Sequence, residues 1–318
     1  MRNFIITLSV LLLFVQFTGS RAFAGASDTT SSRCGKIEFY KDVSWRELYF
    51  QGGKGFTRLA ASVRLRSSRK FCPCELTDTL SGFITCPLEG EDLKVLSVET
   101  TLSTLIPPQE EYAQHVWFNT KASGALQRIR WKKGPHPWVK AYRWGEKGVS
   151  RLKIQPASPS EVTKNPGIWT KKRRSFFGYS RGAEDCPTIS EPTLLFYLLS
   201  SIDTKRSRFP LELCVFGKKE LHLVTVRLVK LKPLKISFES YGLQGERRIE
   251  KNIRPLVFFI TASPDEENEE GRETFSLLGL REDIYIFLDP ETRLPVRVIG
   301  KTKKFGDMVL ALTGAWLR

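Results

Sequence analysis

Apolar and polar residues alternate with a period of two along most of this chain. In FTRLAASVRLRSS, residues 56–68, Leu59, Ala61, Val63 and Leu65 alternate with Arg58, Ala60, Ser62, Arg64 and Arg66. That spacing puts one set of side chains on each face of a strand, so it predicts a half-buried β-strand. KVLSVETTLSTL (94–105), HVWFNT (115–120), QRIRW (127–131), WVKAYRW (138–144) and SRLKIQ (150–155) continue the pattern. LELCVF, LHLVTVRLVKL, LKISFESY, PLVFFITA and TFSLLGL follow, and the stretch from Asp283 reads as three more strands. A long succession of strands with almost no intervening helix predicts a mainly β fold, one large curved antiparallel sheet or incomplete barrel, with one or two covering helices.

Two segments break the period. TISEPTLLFYLLSSIDTK carries a cap-like Ser190, Pro192 in the first turn, and Leu194, Leu195, Leu198, Leu199 and Ile202 at helical spacing. Its expected task is to cover the apolar face of the sheet. Residues 156–187 are rich in Pro, Gly, Ser and charge and are expected to form an irregular flap.

The N-terminus changes the setting. Arg2, an apolar run from Phe4 to Phe17, and the small-residue motif Ala22-Phe23-Ala24 predict a secretory signal peptide over 1–24, cleaved after Ala24. The rest divides into a Cys-containing N-terminal part of the sheet, 25–89, and a curved β-sheet domain, 90–318, that carries the flap. Export permits disulfides among the six cysteines. One bridge is expected among Cys72, Cys74 and Cys86, which flank a predicted hairpin; Cys186 with Cys214 would staple across the helix. Cys72 and Cys74 with Cys86 lack a fourth nearby ligand, so no metal is expected there.

Charge sharpens the picture further. Lys and Arg number 50 against 34 Asp and Glu, a net charge of +16. The excess is concentrated: Lys121–Arg174 contains 15 basic residues and only Glu146 and Glu161 as acids. Within it Arg128, Arg130, Lys132, Lys133 and Lys140 interleave with Trp131, Trp138 and Trp144. Cations beside indoles suit an anionic membrane surface or lipopolysaccharide. Nucleic acid would suit them too, but an exported chain meets little of it and it is not expected as a partner. In the competing reading the tryptophans fill the core and the charges line the solvent face.

Enzyme-like signals are sparse. GYSRG, Gly178–Gly182, fits a G-x-S-x-G nucleophile elbow, but no strand-to-helix setting is evident around Ser180. Of the three histidines, His222 is the one downstream, inside a predicted strand. No P-loop or G-x-G-x-x-G occurs, and no cofactor is expected.

The C-terminal stretch DIYIFLDPETRLPVRVIGKTKKFGDMVLALTGA predicts strand, turn, strand, turn, strand, with Asp289 and Pro290 opening a type I turn and Pro295 at a strand start. This signature, with EPTLLFYLLSSID and the hairpin after it, resembles the exported Gram-negative family of unknown function DUF3108, related to the LolA-like lipoprotein-carrier fold. The resemblance spans roughly residues 90–318; the Cys-rich region and the flap depart from it. It implies a curved cup able to hold an acyl chain and a periplasmic location, and it carries no catalytic residues. Val296, Val298, Leu310, Leu312 and Phe258 are expected to line the cup. The resulting expectation is a non-enzymatic envelope protein binding a hydrophobic or lipid-like ligand. The alternatives are an envelope assembly factor that binds a protein partner, and a Ser180-dependent hydrolase.

Overall fold

The alternating segments pair with one another. A computed structural model describes residues 42–73, 80–104, 109–121, 123–179, 186, 188–242, 245–264, 275–302 and 305–318. The expected signal peptide, Cys34, Cys74 and Ser180 lie outside the described residues. The elements below all belong to one unit, Ser32–Arg318.

Eight strands form an antiparallel meander: β1 (Trp45–Lys54), β2 (Thr57–Ser67), β3 (Leu93–Ser103), β4 (Glu110–Asn119), β5 (Gly124–Lys133), β6 (Trp138–Gly145), β7 (Gly148–Gln155) and β8 (Lys171–Gly178). The C-terminal strand β17 (Gly306–Leu317) pairs with β1, and β16 (Pro295–Thr302), β15 (Arg281–Leu288) and β14 (Leu256–Pro264) follow it outward. Beyond β14 come β11 (Leu221–Val229), β10 (Leu211–Phe216) and the two-residue β9 (Ile189–Ser190). The hairpin of β12 (Leu234–Gly242) and β13 (Gly245–Ile253) stands aside from this order, joined in parallel to the end of β17 through Glu239–Tyr241.

The protein is therefore mainly β, a large curved open antiparallel sheet. Its two ends meet through side chains: Tyr142 and Val149 of β6 and β7 pack with Cys214, Phe216 and Leu221 of β10 and β11. A Cβ at Gly124, the first residue of β5, would stand 2.7 Å from Thr188 Cγ2 beside β9, so the approach requires glycine. Among the described residues the paired registers run out to β8 on one side and to β9 on the other.

One helix fills half of the interior. Pro192–Leu194 is a 3-10 turn that leads into α2 (Leu195–Ser201), while α1 (Pro159–Val162) is a single turn in the loop before β8. Every residue of α2 is buried, as a helix apolar on all sides must be. Phe196 meets Phe50 of β1 at 5.8 Å and Tyr197 meets Phe118 of β4 at 4.9 Å. The N-terminal cap is Glu191, whose carboxylate accepts from the Leu194 N–H at 3.1 Å; the expected cap, Ser190, is paired within β9 instead. At the other end, the Arg293 guanidinium donates to the Ile202 carbonyl at 3.2 Å and Thr204 Oγ1 at 3.1 Å. Arg293 belongs to the β15–β16 turn, where Asp289 Oδ1 accepts from the Glu291 N–H at 2.9 Å. The DPETR turn thus holds the helix C-terminus.

Two sequence expectations need correction. Lys171–Gly178, taken as part of an irregular flap, pairs residue for residue with β7 from Gly148↔Gly178 to Gln155↔Lys171. Its basic run hid a strand because neither face of this edge strand is strongly apolar. The expected hairpin at 72–86 is also absent among its described residues, which turn through Phe83 N–H and Ile84 N–H onto the Leu80 carbonyl. This segment lies outside the ladder, on the outer face of the sheet. There Phe71, Leu80, Phe83, Ile84 and Leu88 cover Val95, Trp117, Ile129 and Val139, with Trp169 joining from the loop before β8. Cys72 is bridged to Cys86, and Cys186 to Cys214. Among the described residues no helix is long and apolar enough to cross a membrane.

Candidate functional site

The interior is amphipathic because the helix covers only part of it. Directly opposed residues of neighbouring antiparallel strands point to the same face, so the registers define rows across the sheet. One inner row reads Leu48, Val63, Val98, Gln114, and then Arg130, Lys140, Lys153, Arg173, from β1 to β8. The adjacent row reads Leu65, Leu96, Val116, Arg128, Tyr142, Arg151, Ser175. Apolar side chains give way to cations between β4 and β5.

A cleft of about 440 Å³ opens where the two chemistries meet. Leu59, Val98 and Leu102 from β2 and β3, with Leu278 and Phe305, form its apolar part. Arg130, Trp138 and Lys140 line it from β5 and β6; Lys218 and Arg281 contribute from other elements. Trp138 organises the basic wall: the Lys140 ammonium lies 4.3 Å and the Arg130 guanidinium 5.8 Å from its rings, within cation–π range. Tyr112 donates to Glu110 Oε2 at 2.9 Å, and Lys132 pairs with Glu110 Oε1 at 3.0 Å. Burial, then the Glu110 charge, pushes the Tyr112 hydroxyl up to about 12, so it remains a donor.

At the helix N-terminus the cleft reaches a buried ion pair. Arg128 is 2% exposed and Glu191 is fully buried. Arg128 Nη1 lies 3.3 Å from Glu191 Oε2, and Nη2 donates to the Gly217 carbonyl at 2.8 Å. Glu191 also accepts from Gln114 Nε2 at 2.9 Å and from the Thr193 hydroxyl. Tyr142 and Trp144 rings lie 4.0 and 5.3 Å from the Arg128 guanidinium carbon. Arg128 Nε, the Tyr142 hydroxyl and Trp144 Nε1 are buried and have no hydrogen-bond partner. A cluster of buried donors of this kind favours an acceptor. Farther along the row, burial and the charges of Arg151, Lys171 and Arg173 lower the Lys153 ammonium below its ordinary value.

The structure sorts the residues singled out in the sequence. Arg128, Arg130, Lys132, Trp138, Lys140 and Trp144 face the interior, whereas Trp131 and Lys133 face the outer side, where the Lys133 ammonium lies 4.6 Å from the Trp131 rings. Of the inner set, Arg128, Arg130, Trp138 and Lys140 line the cleft. Val296, Val298, Leu310, Leu312 and Phe258 do face inward, but they are core: each is at most 3% exposed and packs with the helix cluster. They do not line this cleft, because α2 occupies the space above them. Glu191, Arg151, Lys153, Arg173 and Arg281 were missed. The period-two basics of SRLKIQ were a signal for two of them, but their alignment depends on register.

His222 does not support the hydrolase expectation by position. It is 2% exposed in β11, its ring packs near Phe275 at 6.2 Å, and burial lowers its pKa.

No family model matches the chain, and no curated protein matches it. Among solved structures, a chain described as a β-barrel-like protein of domain of unknown function DUF1849 from Brucella abortus is 7% identical. The alignment covers 88% of this chain and 100% of that one at a TM-score of 0.43. The likeness is to a β-barrel-like chain of unknown function and is too distant to carry an inference about what this one does.

Proposed function

We propose that this chain is a non-catalytic, exported binding protein that takes an anionic, lipid-like ligand in the cleft between its apolar and basic halves. The observation that carries the reading is the inner row itself, which changes from Leu48, Val63 and Val98 to Arg130, Lys140, Lys153 and Arg173 across one continuous surface. An amphiphile would set its tail against Leu59, Leu102, Leu278 and Phe305 and its head against Arg130 and Lys140. The volume falls in the range of about 300–1,000 Å³ usual for small-molecule sites. Two disulfides are consistent with an oxidising, exported compartment. Kinship with DUF3108 and its LolA-like carrier fold belongs to this proposal, on the strength of the C-terminal motif.

The test is organic extraction and native mass spectrometry of protein purified from the compartment to which it is exported, followed by titration with a fluorescent acyl phosphate. A co-purifying amphiphile is expected. Leu102→Gln with Phe305→Gln should weaken uptake roughly tenfold or more, the loss of one or two apolar contacts. A clean apo mass with no uptake would sink the proposal. The assembly-factor alternative would use the edge of β8, whose Lys171–Arg174 run is of the kind that discourages pairing with another sheet.

A further inference from the structure

We infer that the corner at which β11 and β14 run on into the β12–β13 hairpin docks on an anionic lipid bilayer, through Arg208, Leu228, Lys230, Leu231, Lys232 and Arg254. None of these residues lines the cleft, so docking is independent of what the cleft holds.

The registers bring three connections to this corner. Val229 opposes Val257 and Leu234 opposes Ile253, so residues 230–233 pass alongside Arg254 and Pro255. Leu211 opposes Val226, and Phe209 packs 5.8 Å from Phe258, the residue opposite Leu228; the connection before β10 therefore reaches the same place. Residues 204–210, 230–233 and 254–255 contain Lys205, Arg206, Arg208, Lys230, Lys232 and Arg254, and no acid. All six cations are exposed. Arg206 lies 3.6 Å from Asp203, and among the described residues the other five take part in no ion pair. The adjoining hairpin is built differently. There Lys235 pairs with Glu250 at 2.5 Å, Arg248 with Glu239 at 3.1 Å, and Lys251 with Asp289 at 2.8 Å.

Solvation is enough to explain the cations alone. It does not explain the apolar side chains set among them. Leu231 is 49% exposed between Lys230 and Lys232, and Leu228 is 39% exposed. One exposed leucine is ordinary; two in one corner flanked by unpaired cations have the composition of an interfacial segment. In such a segment the apolar side chains enter the headgroup layer while Lys and Arg meet lipid phosphates. The long stems of Lys230 and Lys232 can lie along that layer and keep their ammonium groups at the phosphates. A soluble polyanion would meet the cations and leave the leucines wet. Pro233 and Pro255 restrict the backbone on either side of the exposed residues, which reduces the ordering needed on docking.

The experiment is co-sedimentation of the purified protein with phosphatidylcholine vesicles, with and without phosphatidylglycerol. Wild type should partition roughly tenfold or more in favour of the phosphatidylglycerol vesicles, and the preference should vanish near 1 M salt, where the Debye length is about 3 Å. Lys230→Gln/Lys232→Gln should lower partitioning about twentyfold, since each cation near an anionic surface contributes about fivefold. Leu231→Ser should lower it about fivefold, the effect of burying half a leucine. The charge-matched Lys171→Gln/Lys172→Gln on β8 should change it less than about twofold, because that strand lies elsewhere on the surface. No preference for phosphatidylglycerol, or an equal loss in the β8 variant, overturns the inference. So does an unchanged Leu231→Ser, which would leave a surface for soluble polyanions only. Uptake of the acyl phosphate should be the same in the corner variants as in wild type, so loss of vesicle docking and loss of the cleft ligand are read separately.

Discussion

Two halves of one sheet are built from the same alternating pattern and do opposite things with it. In β1–β3 and β14–β17 the inner positions are apolar and close on α2: Phe50, Val63, Leu96, Phe258, Val298 and Leu310 share one cluster with Phe196, Leu198 and Leu199. In β5–β8 the inner positions include Arg128, Arg130, Lys132, Lys140, Arg151, Lys153 and Arg173. A helical segment that runs only from Pro192 to Ser201 can cover one half. The uncovered half cannot be apolar without leaving a wet hydrophobic patch. The contrast teaches that the apolar core is concentrated beneath the helix and the inward-facing cations lie where the helix is missing.

The sharpest way to break this comparison is to truncate the apolar half. Phe258→Ala should cost about 3–5 kcal/mol, because a fully buried ring beside Phe209 leaves a cavity. Urea unfolding measures it, with Lys140→Ala as the partner variant expected to be close to neutral. Similar losses in both would erase the division.

At the boundary, Arg128→Met should be nearly as severe, about 3–5 kcal/mol, since it strands the Glu191 carboxylate in the interior. Adding Glu191→Gln should recover most of the loss. If the double variant is as unstable as the single one, the ion pair is not the hinge between the halves.

Beneath the outer cover, burial holds His115 neutral and lowers its pKa from 6.5 to about 4, with Arg66 and Arg64 adding to the effect. Its ring packs 4.9 Å from Phe71. The unfolded chain binds this proton first, so stability is complete above about pH 6.5 and declines as pH falls toward about 4. His115→Gln should remove on the order of 1 kcal/mol of that decline, allowing for the partial exposure of the ring. Thermal melts between pH 7 and pH 4 read the difference.

The smallest effect is also the most diagnostic. Lys153→Gln should stabilise the unliganded protein by about 0.2–1 kcal/mol at low salt, by relieving its opposition to Lys140 and Arg173. The gain should vanish near 1 M salt, where the Debye length is about 3 Å. A loss of stability on this substitution would mean that the row is structural.

Much of this was legible in local pattern. Leu59, Ala61, Val63 and Leu65 are buried where the alternation placed them, and the helical spacing of Leu194–Ile202 marked the helix. Spacing suggested Cys186 with Cys214 and one bridge among Cys72, Cys74 and Cys86, without choosing the pair. What failed was local also. Ser190 is the cap expected by type, and only the ladder of β9 with β10 removes it and leaves Glu191 in that place. KKRRSFF looked like a loop because an edge strand needs no apolar face. For the site, Trp131 and Lys132 are neighbours in sequence yet lie on opposite faces, so a basic aromatic run could name the ingredients of a site without its surface.

The sequence by itself determined the class of fold, since a period of two is a property of neighbouring residues, and it determined the strongly basic character of the middle strands. Tertiary structure alone decided which cations meet. Arg130 and Arg173 are brought into one row by three successive registers, two closed by short turns and the third by the longer connection that carries α1. It also decided that the row faces inward, because a short helix can shield only the half of the sheet on which it packs.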